Sequence, residues 1–281
     1  MADHGIDTTE QLLHFSADRW WQSAKEALAI GKAIGDKVIL MSTSTGGTIS
    51  LILASQYPDD VFALINLSPN IEVNDPNAWL LNNPWGLQIA RKVIGSDYIT
   101  TSPDSLKDRY WNNKYRLEAV VALQELIEDK MTPATFMKVK CPSLTLYYFK
   151  NEKEQDPTVK VAAMIEMNKL LSTPENLKQM VAIPEAGTHV IGSYLRSKDV
   201  FSVERVAENF AVEKLGMKIN YGLHPTKIDA YRQSLKTNPE NELVDLEKAI
   251  PGIVLDVRYA TTNNFTNEKI YNLPKAYARK P

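Results

Sequence analysis

Lys37-Val-Ile-Leu-Met-Ser-Thr-Ser-Thr-Gly-Gly-Thr-Ile-Ser-Leu-Ile-Leu-Ala-Ser-Gln56 is the stretch that decides the architecture of this chain. Residues 37–41 are a β-favouring apolar run, too short for a helix and bounded by turn residues. That is the pattern of a strand buried on both faces. Ser42 to Gly47 reads as a turn, and 48–56 as a helix packed on a sheet, being apolar and rich in Leu and Ile. Tyr57-Pro58 stops it. Val61-Phe-Ala-Leu-Ile-Asn-Leu67 is a second buried strand, ended by Ser68-Pro69-Asn70. Strand, helix and strand joined by tight turns imply parallel pairing through a right-handed crossover.

Working outward, Ser16 to Ile34 reads as an amphipathic helix. Ser16 is placed to cap it, Asp18 lies in its first turn, and Trp20, Ala24, Ala27, Leu28 and Ala33 recur at helical spacing. Downstream the α/β alternation resumes, with a strand over 143–149, a helix over 159–171, a strand over 177–183 and an amphipathic helix over 202–215. Between about 70 and 140 the pattern changes. This excursion carries Trp79, Trp85, Tyr98, Tyr110, Trp111 and Tyr115 with several prolines, and its periodicity is helical. It is either a cap over the sheet's end or a set of extra helices covering the sheet. Residues 216–241 are polar and read as a linker, followed by a short helix over 244–249 and a strand over 253–257.

Composition narrows the function classes. The 281 residues carry 32 Lys+Arg against 34 Asp+Glu, so no basic excess is available to neutralise nucleic-acid phosphates. No apolar run approaches the roughly 20 residues of a membrane-spanning helix. The single cysteine, Cys141, excludes an intrachain disulfide and argues against a thiolate zinc site. Residues 1–7 lack the basic and apolar regions of a secretory signal, so the chain as given reads as cytoplasmic. Export remains open if a signal lies upstream of Met1.

Ser44 carries the chemistry. A serine between a buried strand and a small-residue helix start is a nucleophile elbow, whose sharp turn lifts Oγ above the sheet. Small residues are needed two before and two after, because strand and helix backbones approach closely there. Gly46 meets this; Ser42 departs from the usual glycine. A serine nucleophile needs a base, and the base an orienting carboxylate. Of the four histidines, His4 and His14 precede the serine and His224 lies in the polar linker, whereas His189 follows the strand ending near Ile183. The carboxylate is expected after the strand over 143–149, where Glu152, Glu154 and Asp156 compete. Asp156 is preferred because Asp-Pro-Thr leads straight into a helix. The bland alternative is that it only caps that helix.

With Ser42-Thr-Ser-Thr-Gly-Gly47, Asp156-Pro-Thr-Val159 and Ala186-Gly-Thr-His-Val190 in this order, residues 1 to about 215 resemble the α/β-hydrolase superfamily of serine esterases, lipases and acyl hydrolases. The resemblance implies a mostly parallel α/β sheet with a helical cap insertion at about 70–140. It implies Ser44 as nucleophile, Asp156 as orienting acid, His189 as general base and the Thr45 N–H as one oxyanion donor. The expected substrate is a small ester or amide whose acyl group passes to water, with no cofactor and no metal. His4-Gly5 resembles the family's early Gly-His-Gly turn. On that alignment the family's first strands, and the loop giving its second oxyanion donor, precede Met1.

A second resemblance covers about forty residues. Leu243-Val-Asp-Leu-Glu-Lys-Ala-Ile-Pro-Gly-Ile-Val-Leu-Asp-Val-Arg-Tyr-Ala-Thr-Thr-Asn-Asn-Phe-Thr266 resembles the opening of zinc-dependent D-alanyl-D-alanine dipeptidases. The zinc ligands of that family fall further downstream, so no dipeptidase activity is expected from residues 242–281. Together the resemblances imply a fragment of a two-domain bacterial protein: a hydrolase domain over 1–215, a linker over 216–241 and the start of an incomplete second domain. Two alternatives stand beside this. The parent's activity could reside in the dipeptidase part, or the hydrolase-like part could be a non-catalytic binding module.

Overall fold

The computed structural model describes residues 10, 12–100 and 113–218. Helix α1 spans Ala17–Ile34, and Ser16 caps it as expected: its Oγ accepts the Arg19 N–H at 3.2 Å. Trp20, Ala24 and Leu28, spaced four apart, form its buried stripe. Ala27 and Ala33, expected on the same side, face solvent.

Strand β1 covers Ile39–Thr43, helix α2 Thr45–Gln56 and strand β2 Ala63–Leu67. The strand–helix–strand reading stands, but the turn between β1 and α2 is far tighter than Ser42 to Gly47. Ser42 and Thr43 continue the strand, Thr45 already opens the helix, and the reversal falls on Ser44 alone. β2 is buried throughout. β1 is not: Met41 is 61% exposed, and among the described residues β1 pairs only with β2. The expectation of a strand covered on both faces fails there, because no described element packs over Met41.

Beyond β2 the chain leaves the sheet. A 3₁₀ turn at 78–82, helix α3 (Gly86–Ile94), a ribbon of β3 (Tyr98–Thr100) and β4 (Lys114–Arg116), helix α4 (Leu117–Lys130) and a short α5 (Pro133–Phe136) form a mainly helical insertion. Of the two readings of this excursion, the contacts match the extra helices that cover the sheet. α4 and α5 pack on α2, covering the sheet's helical layer, whereas the 3₁₀ turn and α3 pack on α4 one layer further out. The antiparallel β3–β4 ribbon was not expected, since three-residue strands show no periodicity. Glu118 of α4 accepts hydrogen bonds from Arg91 of α3 and Arg116 of β4, which ties the insertion together.

The chain re-enters the sheet through β5 (Ser143–Tyr147). A small hairpin of β6 (Phe149–Asn151) and β7 (Glu154–Gln155) follows, then helix α6 (Val161–Leu170), strand β8 (Lys178–Ala182) and helix α7 (Val200–Glu213). The main sheet has the order β1-β2-β5-β8 and is parallel at every pairing. Leu64 of β2 faces a core built with α1, α2, α4, α5 and α6. Ile65 and Leu67 face the opposite core, where Val203, Ala207 and Phe210 of α7 close the other side. Parallel strands send all their C-terminal ends to one edge of the sheet, and the candidate residues lie on the loops there.

Candidate active site

Ser44 sits between β1 and α2 with φ +55° and ψ −124°, a backbone conformation that costs a non-glycine residue of order 1–3 kcal/mol. The surroundings hold it there. Its N–H donates to the Leu67 carbonyl at 3.0 Å, and its own carbonyl accepts the N–H groups of Asn70 at 2.9 Å and Gly47 at 2.8 Å. The loop after β2, with Ser68 also at positive φ, is thus stitched to the turn beside it. The spacing expected of the glycines is corrected. A Cβ on Gly46 would meet only Ser42 Cβ at 3.4 Å, an ordinary contact, so Ser42 is accommodated two residues before the turn. Gly47 is the position that admits no side chain.

His189 lies on the loop after β8, where order and position put it. Its Nε2 is 2.8 Å from Ser44 Oγ and its Nδ1 is 2.8 Å from Asp156 Oδ2. An ionised carboxylate only accepts, so Nδ1 carries the proton and donates, leaving Nε2 of the neutral ring to accept from the Ser44 hydroxyl. Asp156 is 1% exposed. Its oxygens divide the work: Oδ2 takes His189, and Oδ1 accepts the backbone N–H groups of Thr158 at 2.9 Å and Val159 at 3.1 Å. The capping alternative is therefore half present, as a turn before α6, whose own N-cap is Lys160. Burial pushes the Asp156 carboxyl up, but the hydrogen bond and charge of His189 and the two N–H groups outweigh it. The net effect holds the carboxyl below the ordinary carboxylate range.

The competing carboxylates stay apart. Glu154 accepts from Asn151 within the β6–β7 hairpin, and Glu152 is exposed at its tip. His14 is exposed, with its carbonyl accepting from Arg19. His4, Gly5, His224 and the whole stretch from 219, including the dipeptidase-like segment, lie outside the described residues. Thr45 heads α2, where its N–H has no helix carbonyl to bond. Among the described residues no group of three or more His, Cys, Asp and Glu side chains could hold a metal ion, and no helix is long and apolar enough to cross a membrane.

Residues 71–75 join the loop after β2 to the insertion and are fastened to the Asp156 loop. Val73 bridges Val159, the Asn74 N–H donates to the Thr158 carbonyl, and Lys160 pairs with Glu72. Beyond this segment an apolar cavity of about 310 Å³ opens inside the insertion, lined by Leu80, Leu81, Ile89, Val93, Ile99 and Leu117. A second, of about 460 Å³, lies between the insertion and α6. The described tryptophans of the insertion play little part in these cavities. Trp85 is 73% exposed and Trp79 touches only the second cavity, while Tyr110 and Trp111 fall outside the described residues. Aliphatic side chains line the first cavity instead. Sequence reading also passed over Asn66, fully buried in β2 and hydrogen-bonded to Ser42. Its signal was available: one amide in an otherwise apolar strand.

No protein-family model and no curated protein sequence matches the chain. Solved structures do. The chain is similar to a structure from work on LipS and LipT, two metagenome-derived lipolytic enzymes, at 16% identity and a TM-score of 0.52, over 71% of this chain and 75% of that one. It is similar to a monoacylglycerol lipase of Paleococcus ferrophilus at 15% identity and a TM-score of 0.53, over 72% and 77%. At such identities the likeness is one of fold, and the fold is that of the α/β-hydrolases.

Proposed function

We propose that the chain acts as a serine hydrolase, passing the acyl group of a small ester to water, with amides as the second substrate class. One observation carries the reading: an unbroken hydrogen-bond relay from Ser44 Oγ through His189 to Asp156, drawn from three separate loops at the C-terminal edge of the sheet. The strained backbone at Ser44 supports it, since strain is retained where the surroundings over-determine a conformation with a use.

In this mechanism Ser44 Oγ attacks the ester carbonyl carbon while His189 Nε2 takes its proton. The imidazolium formed is stabilised by the Asp156 carboxylate, which stays ionised. The carbonyl oxygen becomes an oxyanion against the Thr45 N–H; one such donor is worth on the order of 10²–10³ in rate. Collapse of the intermediate breaks the bond to the leaving oxygen, which takes the proton from His189 and departs as the alcohol. Water then attacks the acyl-serine carbon as His189 removes its proton, and return of that proton to Ser44 Oγ releases the carboxylic acid. The reading of a binding module without catalysis rested on Ser42 in place of glycine and on the second oxyanion donor expected from a loop before Met1. Ordinary contact between Ser42 Cβ and a Cβ on Gly46 weakens the first of these grounds.

A fluorophosphonate probe tests the proposal. Covalent labelling at Ser44, abolished in Ser44→Ala, together with hydrolysis of a p-nitrophenyl ester series, is the expected result. Equal labelling of Ser44→Ala would falsify it.

A further inference from the structure

β2 reads Ala-Leu-Ile-Asn-Leu, and the asparagine stands out. Asn is unfavourable in a strand interior, and burying its amide costs free energy unless partners are supplied. Asn66 is 0% exposed and lies in register with Ser42 of β1 on one side and Thr145 of β5 on the other. Ser42 Oγ donates to Asn66 Oδ1 at 2.7 Å. Asn66 Nδ2 and Thr145 Oγ1 are buried and find no partner among the described residues. An incompletely satisfied polar row therefore crosses the sheet directly under the turn that carries Ser44.

The position of the row gives it a use. Ser42 is two residues before Ser44, and its side chain fills the space beneath the first turn of α2. Its Cβ and Oγ sit 3.4 Å and 3.6 Å from where Cβ atoms of Gly46 and Gly47 would be. A hydroxyl there needs an acceptor on the sheet. Left to itself it would seek one among the backbone groups of the turn, which are committed to holding Ser44. The backbone bonds that fix Ser44 come from Leu67 and Asn70, one and four residues beyond Asn66. The end of β2 and the loop after it thus fix the nucleophile's backbone directly and the preceding hydroxyl through an amide.

We propose that Asn66 is a positioning residue for Ser44, acting through Ser42: its amide takes up the hydroxyl that this chain carries where the elbow pattern has glycine. The proposal rests on the serine-hydrolase reading above. Asn66 touches no reacting atom. Removing it frees the Ser42 hydroxyl to pull on the turn and moves Ser44 Oγ relative to His189, and misplacement of this order costs up to roughly 10²-fold in rate.

The test compares Asn66→Ala, Asn66→Leu and each combined with Ser42→Gly, reading kcat, KM, the fluorophosphonate labelling rate at Ser44 and the melting temperature. Asn66→Ala is expected to lower kcat and labelling by about tenfold or more with KM little changed. Adding Ser42→Gly restores most of that loss without restoring the melting temperature, since glycine has no hydroxyl to satisfy. Asn66→Leu refills the space and serves the same comparison if Asn66→Ala does not fold. Labelling of Asn66→Ala or Asn66→Leu at the unsubstituted rate overturns the proposal. So does a double variant no faster than its single Asn66 parent, because Asn66 then acts only through stability. If the unsubstituted protein is not labelled at Ser44, the hydrolase reading itself fails and takes this proposal with it.

Discussion

Gly47 packs against Pro69 with no room for a side chain: a Cβ on Gly47 would lie 2.5 Å from Pro69 Cβ and 2.9 Å from its Cα. This contact sets how closely α2 approaches the loop after β2, and hence where Ser44 stands between them. Gly46, one residue earlier, has no such neighbour. Gly47→Ala is expected to destabilise the protein by about 1–3 kcal/mol through overpacking and to reduce labelling at Ser44. Gly46→Ala is expected to stay within about 1 kcal/mol of the parent, helped by the better helix propensity of alanine. Urea denaturation of the two variants decides it, and equal losses would contradict the contact.

The strain at Ser44 makes a second prediction. Ser44→Ala and Ser44→Gly both remove the nucleophile, yet only glycine adopts φ +55° with ψ −124° without steric cost. Ser44→Gly should therefore be more stable than Ser44→Ala by about 1 kcal/mol, the strain relieved less the added unfolded-chain entropy of glycine. A Ser44→Ala variant as stable as Ser44→Gly would show that the backbone there is unstrained.

Asp156 predicts a pH dependence of stability. Its carboxyl is held below the ordinary range in the folded protein, while in the unfolded chain it titrates near about 3.9. Between those values the unfolded chain binds more protons, so stability rises with pH across that window. The contribution is fully present above about pH 5 and is lost as pH falls through the folded value. Asp156→Asn should flatten the acid limb of unfolding free energy against pH below about pH 4. An unchanged slope would assign that limb to other carboxylates.

Cys141, the only thiol, is pushed up to about 11 by burial. At neutral pH it stays protonated and unreactive. Ellman's reagent should titrate it slowly in the native protein and at once in guanidinium, one equivalent per chain. Rapid reaction under native conditions would show that the loop before β5 opens readily.

Much of this was legible in the residues themselves. Periodicity and stop signals locate α1, β2, β5, α6, β8 and α7 to within about two residues, and the end of α2, because each is a local apolar pattern closed by a cap, a proline or a polar turn. The end of β1 was not legible. Ser42 and Thr43 are turn-forming by composition, and only the bond from Ser44 to Leu67 shows that the strand runs on and turns in one residue. The short ribbons β3–β4 and β6–β7 carry too few residues for a period to register.

The chain order of Ser44, a carboxylate and His189, and the loops that bear them, follow from the sequence alone, since they depend on which strand each residue follows. Tertiary structure chose among three carboxylates within five residues of one another: burial and the turn through Thr158 and Val159 aim Asp156, and not Glu152 or Glu154, at His189. It also paired Ser42 with Asn66, 24 residues away, through strand register. Local patterns record which face of an element is apolar. The partner across a sheet or a loop depends on register and close approach, which arise only when the elements pack.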